Sequence, residues 1–415
     1  MIHRSIRCPR LWTSALMMIL ITTCLGIAQE SVKNPPFFAA VSVEVRDHTE
    51  TPLRVVNGTL LDVGVIVELT ALHGGAWAEV RSRDGGEWRA DSVITVNPQV
   101  NLALLKLDEI PTHAIRLPES TAYTDGGRLI LIGGPNCETD SLSVTAYRHF
   151  KLQDGFDLIP LSRAFPGAAP ALGPDGRLIG VSADLSTEDV SIGYLVPTAS
   201  IKVVVRSGSR PRPFSMFADT EPPEYMTDES SRGLALRGAI LTRSGSSALA
   251  REFLTLALQR DQHCTDAHYW MGEFLLASDE PKLAAESFAN AAAVDSTYGR
   301  AWCRAGFAYS GAGLHQEAEK MYFRALEVDT CSAESYLGVG VVRFNQGRHD
   351  EAIDLLQESL ACDSTYHGGL AFYNLVVVYN AMGRRKEAER VCDTLSGLNP
   401  KLAERARRML HGHHH

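Results

Sequence analysis

A chain of 415 residues and 45.3 kDa is too long for one ordinary core, and 45% hydrophobic with 21% charged side chains is a globular composition. Two or more domains are therefore expected, and collagen-like, coiled-coil and disordered chains are excluded. With 40 Lys and Arg against 49 Asp and Glu the formal charge is −9, the wrong sign for a polyanion binder, so nucleic acid is not an expected partner.

Residues 1–10 carry Arg4, Arg7 and Arg10 with no acid, residues 11–25 are apolar, and the run stops near Gly26-Ile27-Ala28. This is the pattern of a signal peptide over residues 1–28, so the mature chain is expected to be exported, periplasmic or extracellular. The apolar run is shorter than the roughly 20 residues that cross a bilayer, and no later segment reaches that length, so no membrane span is expected in the mature chain. Ile21-Thr22-Thr23-Cys24 has the outline of a lipidation box, although Thr23 is larger than the residue usual before such a cysteine. Beyond the signal lie Cys137, Cys264, Cys303, Cys331, Cys362 and Cys392, with no C-x-x-C pair and no His/Cys metal spacing. Buried free thiols are expected, and no metal or cofactor.

From Phe37 to Val205 no helical period is visible. Val/Ile/Leu runs at 54–61, 63–69, 101–107, 128–132, 177–182 and 194–196 alternate with Gly, Pro and Asp turns, which predicts an all-β sandwich or barrel. The strings Gly58-Thr59-Leu60-Leu61, Gly64-Val65-Ile66-Val67, Asn101-Leu102-Ala103-Leu104-Leu105, Ile130-Leu131-Ile132-Gly133, Gly176-Arg177-Leu178-Ile179-Gly180-Val181 and Gly193-Tyr194-Leu195-Val196-Pro197 follow one another in order. Together they resemble the HtrA-like exported serine proteases, and the resemblance implies a trypsin-like double barrel over residues 34–205.

That family needs a serine to attack, a histidine to take its proton and a carboxylate to stabilise the imidazolium. The family's Asp-x-Ala-Leu begins here with Asn101, an amide that can orient a ring but cannot balance its charge. The family's Pro-Gly-Asn-Ser-Gly-Gly-x-Leu becomes Pro166-Gly167-Ala168-Ala169-Pro170-Ala171-Leu172, one residue shorter, with Ala169 in the nucleophile's place. Pro170 also removes an N–H and fixes φ in the loop that shapes an oxyanion hole. For the histidine two alignments stand: an ungapped count puts Ala71 there, while Thr70-Ala71-Leu72-His73 matches Thr-Ala-x-His if two residues are inserted. The resemblance thus implies a pseudoprotease with no catalytic residue. The rival expectation is an active serine endopeptidase in which Ser162 or Ser182 attacks, His73 is the base, and the C-terminal half recruits substrate.

Residues 206–230, with Pro211, Pro213, Pro222 and Pro223, have linker composition. Asn57-Gly58-Thr59 is a glycosylation sequon inside a predicted strand.

The C-terminal half repeats itself. Gly238, Gly272, Gly306 and Gly340 recur every 34 residues, and so do Ala250, Ala284, Ala318 and Ala352. A fifth copy is offset by two residues. The pattern, best seen in Trp302, Gly306, Tyr309, Ala318, Tyr322 and Ala325, resembles the tetratricopeptide repeat (TPR). It implies five helix pairs at 231–264, 265–298, 299–332, 333–366 and 369–402, in an all-α solenoid whose helix pairs bury their faces on one another. His268, Val376 and Ser359 depart from the pattern. A charged helix from Lys401 to Leu410, with Leu402, Ala406 and Met409 on one face, is expected to cap the array, and residues 403–415 beyond the last repeat hold the rest of it and an unstructured His tail.

The resemblance places ligands against the first helix of each repeat. The positions so marked are Tyr269 and Glu273, Cys303 and Phe307, Leu337, Val341 and Phe344, and Tyr373, Val377 and Asn380. Most are apolar, and the Lys/Asn set that clamps a carboxylate is missing. The whole is therefore expected to be an exported non-catalytic scaffold or adaptor for protein or peptide ligands with apolar segments.

Overall fold

The computed structural model describes residues 39–411 except 113, 119–127, 134–142, 147–149, 152–156, 162, 163, 166, 174, 176, 188, 209, 220–229 and 246. The signal sequence, Cys137, Ser162 and the His tail lie outside the described residues. The chain forms two compact units, Met1–Met226 and Thr227–His415.

The first unit is β-rich. One sheet contains β1 (Ala40–Arg46), β2 (Pro52–Leu61), β3 (Gly64–Glu68), β4 (Trp77–Ser82), β5 (Glu87–Ala90), β6 (Ser92–Asn97) and β7 (Leu102–Lys106). The other contains β8 (Arg128–Leu131), β9 (Ser143–Ala146), β10 (Phe150–Lys151), β11 (Asp157–Pro160), β12 (Pro170–Leu172), β13 (Leu178–Asp184) and β14 (Gly193–Pro197). All named pairings are antiparallel, and the orders are β6-β7-β3-β2-β1-β4-β5 and β10-β11-β14-β13-β12-β8-β9. Alternation explains the burial: Val41, Val43 and Val45 on β1 point into a core shared with Val65, Val67 and Leu105. On the opposite face Arg81 bridges Glu79 at 2.9 Å and Glu87 at 3.1 Å.

Two expectations need correction. The region predicted to be all-β contains helix α1 (Thr198–Arg206), which buries Thr198, Ile201 and Val204 along one face. Part of the predicted linker also belongs to the first unit. There β15 (Arg212–Pro213) pairs with β6, and Phe214 and Phe217 sit in the same core as β1. The physical reason is the aromatic pair, whose apolar area outweighs the surrounding prolines. Within the sequon Asn57 is 1% exposed and Thr59 0%, which leaves the folded strand no accessible acceptor.

Among its described residues the second unit is a succession of helices: α2 (Ser231–Ser244), α3 (Ser247–Arg260), α4 (Thr265–Ala277), α5 (Pro281–Val294), α6 (Gly299–Gly311), α7 (His315–Val328), α8 (Ala333–Asn345), α9 (His349–Cys362), α10 (Leu370–Ala381), α11 (Arg385–Leu398) and α12 (Pro400–His411). The recurring glycines explain how paired helices approach. A Cβ on Gly272 would come 2.7 Å from the Phe288 ring, sixteen residues later, and the same offset faces Gly238 with Leu254, Gly306 with Tyr322 and Gly340 with Leu356. Each glycine leaves room for a large side chain on the next helix.

The three departures from the pattern are compensated. His268 Nε2 lies 2.8 Å from the Gln262 carbonyl, just as Trp302 Nε1 donates to the Ser296 carbonyl at 3.0 Å, six residues back in both cases. Ser359 donates its buried hydroxyl to the Ala333 carbonyl at 2.8 Å. Val376 replaces a glycine, and the residue sixteen further on is the small Cys392, buried in the same core. The closing helix begins at Pro400, next to the expected Lys401, because proline is well suited to a helix's first position. It buries Ala403, Ala406 and Leu410.

The expectation of free thiols is corrected at one pair: Cys331 and Cys362 form a disulfide between Cα atoms 5.3 Å apart. Cys331 is exposed and Cys362 half-buried. The two stand 31 residues apart, close to one repeat, so stacking brings them together. Cys264, Cys303 and Cys392 are free and buried.

Candidate functional site

Two places carry the candidate residues, one in each unit. In the first, a short 3₁₀ turn (Leu69–Leu72) follows β3, and Asn101 precedes β7 with a left-handed φ of 53°. Asn101 is fully buried, and its side chain is committed to Thr70. The Thr70 N–H donates to Asn101 Oδ1 at 3.2 Å, and Asn101 Nδ2 donates to Thr70 Oγ1 at 3.4 Å. Ala71, next along, is 4% exposed. His73 is exposed beyond the end of the turn.

The loop carrying Ala169 is fastened from both sides. The Ala168 N–H donates to the Asn57 carbonyl at 3.1 Å, and Thr59 Oγ1 donates to the Ala168 carbonyl at 2.7 Å. Gly167 has φ 70°, and a Cβ there would come 2.6 Å from the Asn57 nitrogen, so only glycine fits. Beneath the loop the Ala169 N–H donates to Ser182 Oγ at 3.0 Å, and Ser182 Oγ donates to the Gly167 carbonyl at 2.7 Å. Ala168, Ala169 and Ser182 are all 0% exposed. The loop therefore offers methyl groups, and its N–H groups at 168 and 169 are spent on the protein's own acceptors. Ser182 cannot reach a substrate, which removes one of the two serines the rival expectation named.

Nearby, Glu68 at the end of β3 accepts the Asp184 N–H at 3.1 Å. Burial pushes its pKa up to about 8, the Asp184 charge adds to the rise, and the backbone hydrogen bond opposes it. Among the described residues no three His, Cys, Asp or Glu side chains gather as a metal ion would require.

In the helical unit a groove of about 600 Å³ opens along α6, α8 and α10. Of the predicted ligand positions, Phe307, Leu337 and Val341 line it, with Phe307 51% exposed. The others do not, and the reason is packing. Tyr269 is 1% exposed, set among Trp270, Phe288 and Tyr298. Cys303 is buried with Sγ 2.6 Å from Ser335 Oγ. Glu273 is buried and held by Arg304 at 2.6 Å and Arg243 at 3.5 Å. Phe344 stacks on His349, and Tyr373 packs on the core that α12 completes, with Arg405 over its ring. Val377 and Asn380 are half-buried outside the lining.

Groove residues that the repeat pattern did not mark include Arg304, Glu334 and Asn374 on the same helices, and others from outside them. Tyr366 and His367 belong to a 3₁₀ turn (Tyr366–Gly368) between α9 and α10, and Asn399 and Leu402 come from the start of α12. The only signal in the sequence was the two-residue offset of the fifth copy. Burial, with the charge of the neighbouring Glu334 carboxylate, pushes the Tyr366 phenol's pKa up.

Residues 303–367 match the tetratricopeptide repeat family model. Protein bimA of Emericella nidulans is 29% identical over 110 residues, which is 26% of this chain and 13% of that protein's length. Among solved structures, YrrB, described as a TPR protein with an unusual peptide-binding site, is 22% identical, covering 44% of this chain and 94% of its own at a TM-score of 0.37. An HtrA-type protease with tripeptide is 22% identical, covering 41% of this chain and 60% of its own at a TM-score of 0.35.

Proposed function

Taking the helical unit as a tetratricopeptide repeat array, we propose that the chain is an exported, non-catalytic adaptor that binds peptide segments in the groove of that array. In this reading its β-rich unit is a trypsin-like double barrel that has lost its chemistry. The observation that carries the non-catalytic part is the Ala169 N–H turned onto the buried hydroxyl of Ser182. Acyl transfer needs an oxygen nucleophile and N–H donors left open for the developing oxyanion; the residue at the nucleophile's place has a methyl group and a donor already in use. The Asn101 amide, engaged by Thr70, supports Ala71 rather than His73 as the residue in the histidine's place.

The groove supports the binding part: it is concave and largely apolar, with an aromatic edge at Phe307, the composition by which pockets hold peptide side chains. The exposed-edge disulfide supports export, because such bonds persist outside the reducing cytosol. Incubating the mature protein with a fluorophosphonate probe tests the first part, with an unlabelled protein expected and one stoichiometrically labelled serine overturning it. Sequencing the amino terminus of protein recovered from outside the cytoplasm tests the second, with Gln29 expected first.

A further inference from the structure

The offset between the fourth and fifth repeats is not a loose insertion. Residues 363–369 turn back on themselves through three consecutive left-handed positions, His367 at φ 45°, Gly368 at 67° and Gly369 at 82°. A histidine in that region is held there by its surroundings. Two links tie this turn and the end of α9 to the start of α8: the Cys331–Cys362 disulfide and the Ser359 hydroxyl on the Ala333 carbonyl. Tyr366 and His367 contact each other edge-on with ring centroids 4.4 Å apart, and both face the groove.

The turn thereby closes one side of the groove. The charged groups in its lining are Arg304 and Glu334, one of each sign; Arg304 is paired with Glu273, and the Glu334 charge acts on Arg304 and Tyr366. Elsewhere the lining is mostly apolar, so a charged ligand side chain would give up its hydration against it. Two amides complete the lining: Asn374 Nδ2 donates to the Leu370 carbonyl at 3.0 Å, and Asn399 Oδ1 accepts the Leu402 N–H at 3.1 Å. What these two side chains leave for a ligand includes the Asn374 Oδ1 acceptor and the Asn399 Nδ2 N–H donors, the complement of a peptide group.

From this we infer that the turn at 363–369 makes the groove into a pocket selective for an extended peptide stretch carrying a bulky, uncharged apolar side chain, with Tyr366 as the specificity-determining wall. The inference rests on the peptide-binding reading above.

The test uses the full mature chain and blocked ten-residue peptides carrying a central benzophenone side chain flanked by Leu, by Lys or by Asp. The Leu-flanked peptide is expected to crosslink to α6, α8 and residues 366–370. Its half-saturating concentration should rise at least tenfold in Tyr366→Ala and stay within twofold in Tyr366→Phe, which keeps the ring. Val341→Asp, on the opposite wall, should show the same loss, so the result does not depend on one variant folding. Crosslinks confined to other repeats, unaffected by both wall variants, would overturn the selective pocket while leaving peptide binding intact. Equal half-saturation for all three flanks would overturn the apolar preference. If no peptide crosslinks anywhere in the array, the peptide-binding reading falls, and this inference with it.

Discussion

Ser182 lies beneath Ala169 as its hydrogen-bond partner: the serine hydroxyl accepts the alanine N–H at 3.0 Å and donates to the Gly167 carbonyl at 2.7 Å. One buried hydroxyl thus fixes the shape of the loop that carries Ala169.

On the proposed reading of the β-rich unit, placing a hydroxyl at position 169 is accordingly not expected to bring chemistry. Ala169→Ser, alone or with Asn101→Asp, should remain unlabelled by a fluorophosphonate, because the N–H at 169 still faces Ser182 and Ala71 brings no base. Labelling of the new serine, read by intact mass, would show that the donors can be released.

Removing the hydroxyl should loosen the β-rich unit. Ser182→Ala leaves the Ala169 N–H without its partner and the Gly167 carbonyl without its donor, both in the core. Leaving a buried polar group unsatisfied costs about 1–3 kcal/mol. Urea denaturation followed by the Trp77 and Trp88 fluorescence of that unit should show a lower midpoint, and an unchanged midpoint would mean that the loop rearranges at no cost.

The helical unit should depend on its disulfide. Closing a loop with a sequence separation of 31 residues is worth about 3–4 kcal/mol in the chain-entropy description. Thermal melts of the wild type with and without a dithiol reductant should differ, and Cys331→Ser with Cys362→Ser should match the reduced protein in both conditions. Coincident melts throughout would mean that the bond does not restrain the unfolded chain.

Glu68 gives the β-rich unit a pH dependence of defined sign. Its folded pKa, raised by burial to about 8 from an ordinary value of 4.5, means that the folded state binds the extra proton between those limits. Its contribution is complete below pH 4.5 and is lost as pH rises through 8, with a slope of at most about 1.4 kcal/mol per pH unit. Denaturation midpoints measured from pH 5 to 8 should therefore fall more steeply in the wild type than in Glu68→Gln. Parallel profiles would place the titration elsewhere.

The helical array was legible because glycine and alanine recur at a fixed period, and helices begin at Ser231, Thr265, Gly299 and Ala333 where that period puts them. Strands were legible at β2, β3, β7, β8, β13 and β14, whose Val/Ile/Leu runs sit between Gly, Pro or Asp turns. Helix α1 was hidden by its brevity and its Val/Ile content, which reads equally well as a strand. The groove was half legible. Phe307, Leu337 and Val341 follow from the repeat, but Tyr269 and Cys303 occupy equivalent positions and are packed away, because their neighbours Phe288, Tyr298 and Ser335 fill the space in front of them. The wall at Tyr366 needed the turn's left-handed backbone and a disulfide, neither of which spacing alone specifies.

The pairing of Val376 with Cys392, where earlier repeats set glycine against leucine, phenylalanine or tyrosine, makes the fifth unit a poor spare part. Transplanting α10 alone into the third position would drive a valine into Tyr322, whereas moving α10 and α11 together would carry the compensation along. Shuffling or lengthening this array by recombination is thus expected to succeed at the joints between helix pairs and to fail within them.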